Sequence, residues 1–114
     1  FNIGYFTKFG DGAADVLPIV SLYKTQVREL ARHLGIDEKI IAKKSSPHLW
    51  PNHEAEHEIG VNYEQIDIIL YCLIDKKLSL EDTVKESQID KEIVEKIHDM
   101  YKNSEHKRIN PKEL

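Results

Sequence analysis

The sequence predicts a predominantly α-helical chain with a single amino-terminal strand. Three observations lead there. Apolar residues recur with helical spacing in several separate segments of the 114-residue chain. Most of these segments open on a Ser, Asn or Asp suited to cap a helix. Only residues 2–9, "NIGYFTKF", are aromatic and β-branched enough to read as a strand. A lone strand leaves its backbone groups unpaired, so its partners are expected outside this chain. Beginning at Phe1 inside an apolar stretch, the chain reads as a fragment of something longer.

The elements follow in order. The strand stops at the turn "GDGAAD", whose glycines permit positive φ. Pro18 delays the first helix until Ser21, a suitable N-cap. That helix runs to about Leu34, with Leu22, Val27, Leu30, Ala31 and Leu34 on one stripe. Gly35 stands where a C′ glycine belongs. A short helix is expected after Asp37, using Ile40 and Ile41. Residues 43–62 carry two prolines and little periodicity, and read as a long functional loop. A helix opens near Asn62, with Gln65 placed for a capping box and a stripe of Tyr63, Ile66, Ile69, Leu70 and Leu73. Ser79 with Asp82 opens another. Asp90 opens the last, with Ile93, Ile97, Met100 and Tyr101. The end, "SEHKRINPKEL", is polar and basic. The sum is one strand and about five helices, with no repeat and no linker.

Composition narrows the function classes. Sixteen Lys and Arg against 20 Asp and Glu give a net charge of -4. That balance argues against a broad nucleic-acid or membrane surface while permitting local basic pockets. Cys72 is the one cysteine. A lone thiol makes no internal disulfide, which points to a reducing, cytoplasmic compartment. No apolar run reaches the length of a membrane span.

Two short motifs are misleading. "HEAEH", residues 53–57, satisfies the H-E-x-x-H zinc-protease pattern. That pattern works mid-helix, where positions i and i+4 project both imidazoles to one side. Here it falls between Pro51 and Gly60, with no apolar face around it and no marked third ligand. It reads as a polar loop or first helical turn, and no zinc site is expected. "GDGAAD" begins as a dinucleotide fingerprint, but Asp15 takes the third glycine position and would repel a pyrophosphate.

Three blocks together resemble the carboxy-terminal part of ammonia-dependent NAD synthetase. They are "GYFTKFGDGAADVLPIVSLYKTQVRELARHLGI", "SSPHLWPNHEAEHEIGVNYEQID" and "SEHKR", in the family's order and over nearly the whole chain. The resemblance implies an α/β nucleotide-hydrolase-like (Rossmann-like) parent fold, with a parallel sheet flanked by helices. It implies that ATP with Mg2+ activates the nicotinate carboxylate of deamido-NAD. Pyrophosphate leaves, and ammonia attacks the adenylate to give NAD and AMP. A homodimer is the family's usual assembly.

The same resemblance assigns residues. Lys8, Asp15, His106 and Lys107 match positions that contact deamido-NAD. Lys24 and Ser46 match positions that contact ATP. The residue types suit the chemistry, since phosphate-rich ligands need cations and polar donors, and a helix start such as that near Lys24 favours anions. Without the resemblance, each reads more plainly. Lys8 is then a strand-end charge and Asp15 a cap of backbone amides. Lys24 is an exposed helix lysine and Ser46 a hydroxyl in an ST-turn. His106 and Lys107 are cations near a helix C-terminus.

Two departures stand out. After "LWP" the family usually runs Gly-Gln-Thr, where this chain has Asn52, His53 and Glu54. The family's Ser-Gly-Gly-x-Asp-Ser pyrophosphate loop is not in the sequence, and its metal-binding Glu and an ATP-contacting Thr belong upstream of Phe1. The chain is therefore expected to hold half a site, and to be inactive alone. Two other readings remain open: the synthetase region of a glutamine-dependent NAD synthetase, and a non-catalytic helical interaction module.

Overall fold

Helix ends follow the polar signals of the sequence closely. The computed structural model describes residues 1–109. Among them are seven α-helices: α1 (Lys24–His33), α2 (Glu38–Ile41), α3 (Ala55–Ile59), α4 (Tyr63–Leu70), α5 (Leu80–Ser87), α6 (Lys91–Asn103) and α7 (Glu105–Arg108). A 3-10 turn covers Asp11–Ala13, and a π-helical turn, Tyr71–Asp75, continues α4. Gly35, at φ 74°, ends α1 as expected. The Gly35 amide donates to Arg32 O and the Ile36 amide to Ala31 O, both at 3.0 Å. This is the Schellman pair of bonds. Asn62 Oδ1 accepts from the Gln65 amide at 2.9 Å and Ser79 Oγ from the Asp82 amide at 3.1 Å. Each satisfies an orphan donor of a first turn.

The chain divides into two compact units. Unit 1 joins residues 1–20 to those from Ile68 onward, and unit 2 is Ser21–Asp67. In unit 1, α5 packs on α6 and on the π-helical turn. Ile69, Val94, Ile97 and Thr83 are fully buried there. Each fully buried aliphatic side chain contributes about 1.5–3 kcal/mol. Cys72 joins this core, and burial pushes its thiol pKa up. In unit 2, α1 packs on α2, with Ile41, Ala55, Ile59, Val61 and Ile66 buried. Arg32 ties the two helices with a two-pronged contact to Glu38, Nη2–Oε1 at 3.1 Å and Nε–Oε2 at 3.2 Å. No helix among the described residues is long and apolar enough to cross a membrane.

Three expectations need correction. No strand forms over residues 2–9 or elsewhere among the described residues. Instead the segment bends, with Gly4 at φ 73° and short-range bonds from Gly4 N to Phe1 O and Phe6 N to Gly4 O. No neighbouring strand among the described residues pairs its backbone, so turns and side chains do. The cap of α1 is Tyr23, not Ser21, because the Gln26 side chain accepts the Tyr23 amide at 2.9 Å. On the α1 stripe, Leu30 and Leu34 are exposed, 38% and 66%. Residues 43–62 are not all loop, since α3 forms within them and ends on Gly60 at φ 79°. Of the polar tail, residues 110–114 lie outside the described residues.

Candidate functional site

In unit 1 the amino-terminal segment and α7 meet. Gly4 makes the approach possible: a Cβ there would sit 2.3 Å from Ser104 Cβ. Lys107 Nζ donates to the carbonyls of Gly4 at 2.8 Å and Phe6 at 3.0 Å, with the ammonium 5.5 Å from the Phe6 ring centroid. Arg108 Nη1 donates to Asn2 O and to Ser104 Oγ, both at 2.6 Å, and Nη2 to Tyr101 O at 2.6 Å. His106 is exposed, its Nδ1 3.0 Å from the Asn103 carbonyl. A neutral ring with the proton on Nδ1 keeps Nε2 as an acceptor. A groove of about 440 Å³ runs along this contact, lined by Gly4, Lys96, Asn103, His106 and Lys107 among others.

Lys8 lies two residues beyond Phe6, partly exposed, with its ammonium 5.5 Å from the Phe9 ring. Asp15 is exposed, just past the 3-10 turn. The amide cap near it comes from Asp11, whose Oδ2 accepts from Thr7 N at 3.2 Å. Among the predicted residues, then, Lys107 is drawn against the backbone leading to Lys8. Asp15 is left on open surface.

In unit 2, Lys24 opens α1. Its ammonium lies 5.7 Å from the Tyr63 ring centroid, and the Arg28 guanidinium lies at the same distance from that ring. Arg28 is held by Glu64 at 3.1 Å and by Glu56 at 3.8 Å. Asp67, buried, accepts the Thr25 amide at 2.7 Å and so fixes the first turn behind Lys24. Ser46 Oγ accepts the His48 amide at 3.0 Å, which is the expected ST-turn. This acceptor role leaves the hydroxyl proton for another partner. Ser46 lines a second groove, of about 610 Å³, with Lys43, Lys44, Trp50, His53 and Glu54. Lys24 does not line it.

The "HEAEH" stretch does not form the zinc-protease geometry. His53 precedes α3, is buried, stacks on Trp50 with centroids 3.5 Å apart, and pairs with Glu58. His57 lies within α3 and is exposed. The two imidazoles are therefore not presented from one helical face. Among the described residues, no three His, Cys, Asp or Glu side chains come together to hold a metal.

Sequence reasoning missed Asp67, Tyr63, Ser104 and Arg108 as partners of these groups. Asp67 is 42 residues from Thr25, so no local pattern marks it. Arg108 had a signal in its place beside His106 and Lys107.

Comparison with known proteins decides the family. The NAD synthase family model matches residues 1–111. The chain belongs to the NAD synthase family. Proteins called NH(3)-dependent NAD(+) synthetase are 51% identical in Staphylothermus marinus and 56% in Hyperthermus butylicus, each over 96% of this chain. The chain spans about 40% of the length of these NAD synthase relatives. The solved NMN synthetase of Francisella tularensis superposes with a TM-score of 0.75 at 37% identity. It covers 99% of this chain, which matches 42% of that structure.

Proposed function

We propose that this chain supplies part of the active site of an ammonia-dependent NAD synthetase, which amidates deamido-NAD in an ATP-dependent reaction within NAD biosynthesis. The family membership over nearly the whole chain is the observation that carries this reading. Ammonia is the nitrogen donor we favour over glutamine, because the relatives are named for ammonia. The parent fold we infer is α/β, with the parallel sheet supplied by residues outside this chain.

In this reading the units divide the substrates. Lys24 and Ser46 of unit 2 take the ATP phosphates. Lys24 brings its charge from the first turn of α1, whose backbone Asp67 holds in place. As pyrophosphate departs with accumulating negative charge, such a fixed cation stabilises it without reorganising. Lys8, Asp15, His106 and Lys107 of unit 1 take deamido-NAD. Lys8 pairs with phosphate or carboxylate, Asp15 accepts from hydroxyl or amide, and His106 offers Nε2 as an acceptor. Mg2+ accompanies ATP in this chemistry, but the described residues offer no donor set for it. We place the enzyme in the cytoplasm, as Cys72, the one cysteine of this sequence, is a buried free thiol that suits a reducing compartment. We expect a homodimer, since Leu30, Leu34, Ile36 and Ile40 leave apolar surface around α1 and α2.

The protein at its full length, given ATP, Mg2+, deamido-NAD and ammonium, should form NAD and AMP in equal amounts. Turnover with glutamine but not ammonium would move it to the glutamine-dependent class. No turnover with either would defeat the reading.

A further inference from the structure

We infer that Arg108, acting with Ser104, is a positioning residue for deamido-NAD: it anchors the backbone at Asn2, beside the Gly4 and Phe6 carbonyls that Lys107 holds, so that Lys8 and His106 are presented in register. The inference rests on the function proposed above, and adds to it two residues with no part in that proposal.

The clamp is built as a relay. Arg108 spans two backbone carbonyls with its two terminal nitrogens, Asn2 at one end and Tyr101 at the other, and braces the Ser104 hydroxyl between them. Ser104 Oγ lies 3.2 Å from Asn2 O and 3.1 Å from Tyr101 O. Its single proton serves one of these at a time, while Arg108 donates to the oxygen. The guanidinium also lies 4.3 Å from the Tyr101 ring centroid, so its plane is held against α6. Ser104 is buried and Arg108 half-buried, where charge-assisted bonds are least screened.

The carbonyls captured are those of Asn2, Gly4 and Phe6, every second residue. Those groups would otherwise face a missing strand partner, and burying them unpaired is costly. Lys8 follows Phe6 by two residues, a reach of at most about 7 Å. The other end of the clamp is continuous with His106, two residues from both Ser104 and Arg108. Losing Arg108 frees Asn2 and leaves Lys107 as the remaining tie between the backbone that carries Lys8 and the helix that carries His106. None of the Arg108 bonds involves Lys24.

The test uses the protein at its full length, with Arg108→Met and Arg108→Lys. Arg108→Met should raise KM for deamido-NAD about tenfold and leave KM for ATP unchanged. Arg108→Lys should recover part of the loss, because one ammonium reaches Asn2 O but cannot also span to Tyr101 O. Backbone amide exchange at Gly4, whose amide bonds Phe1 O beside the captured Asn2, should speed up in Arg108→Met and be intermediate in Arg108→Lys. Equal rises in both KM values with a lowered melting temperature would make Arg108 merely structural and overturn the inference. So would an unchanged deamido-NAD KM in an active variant. A wild-type protein with no deamido-NAD turnover would defeat the functional reading itself, which is a different result from an active enzyme indifferent to Arg108.

Discussion

Lys24 and Lys8 look alike in sequence, each a lysine near an aromatic residue, yet their surroundings differ. Lys24 sits at a helix start whose first-turn amide is held by Asp67, and shares the Tyr63 ring with Arg28. Lys8 sits on an irregular segment beside Phe9. In the full-length enzyme, Lys24→Ala should lower kcat/KM for ATP about tenfold to hundredfold, the loss of a charge-assisted contact. Lys8→Ala should act mainly on deamido-NAD. Steady-state kinetics with each substrate varied in turn checks this. Wild-type values in both mutants would reject the residue assignments while leaving the family intact. These residues were open to proposal from sequence because each sits in or beside a recognisable block, such as His106 and Lys107 within "SEHKR". Their supports were not, because Asp67 and Arg108 act across folded distance.

At the scale of elements, the helices and their caps were readable and the strand was not. Ser79, Asn62 and Gly35 act within three or four residues of themselves, so their bonds follow from local sequence. Removing the α5 cap with Ser79→Ala should cost about 1 kcal/mol and lower the melting temperature by several degrees. Thermal unfolding followed by circular dichroism would show it, and an unchanged midpoint would mean that α5 is held by packing alone. Just before α5, Lys76 pairs with Glu86 at 3.0 Å, and that carboxylate raises the pKa of the ammonium. A raised folded pKa means the pair's contribution is whole below the ordinary lysine range. It is lost only as pH rises through the folded value, so stability from this pair should be flat across neutral pH and fade in alkali. The segment 2–9 failed as a strand because composition supplies propensity but not a partner. Its carbonyls found Lys107 and Arg108 instead, about a hundred residues away in the chain.

At the scale of the molecule, this chain spans about 40% of the NH(3)-dependent NAD(+) synthetases it resembles. The sequence holds no Ser-Gly-Gly-x-Asp-Ser loop to take the pyrophosphate. The 114-residue chain assayed alone should therefore make no NAD from ATP, deamido-NAD and ammonium, and measurable turnover would show that these residues suffice. Exposed apolar residues of the helical stripes, Leu30, Leu34 and Ile40, show that these stripes do not all close on this chain. An amphipathic stripe records that a face is to be buried, not by what. By itself, the sequence determined the family, most of the helices, and the caps at Asn62, Ser79 and Gly35, because motifs and caps are local. Only the tertiary structure decided that residues 2–9 bend, that Asp67 braces the turn behind Lys24, and that Ser104, Lys107 and Arg108 clamp the amino-terminal segment. Those contacts join residues 42 to 106 positions apart, and no local spacing encodes them.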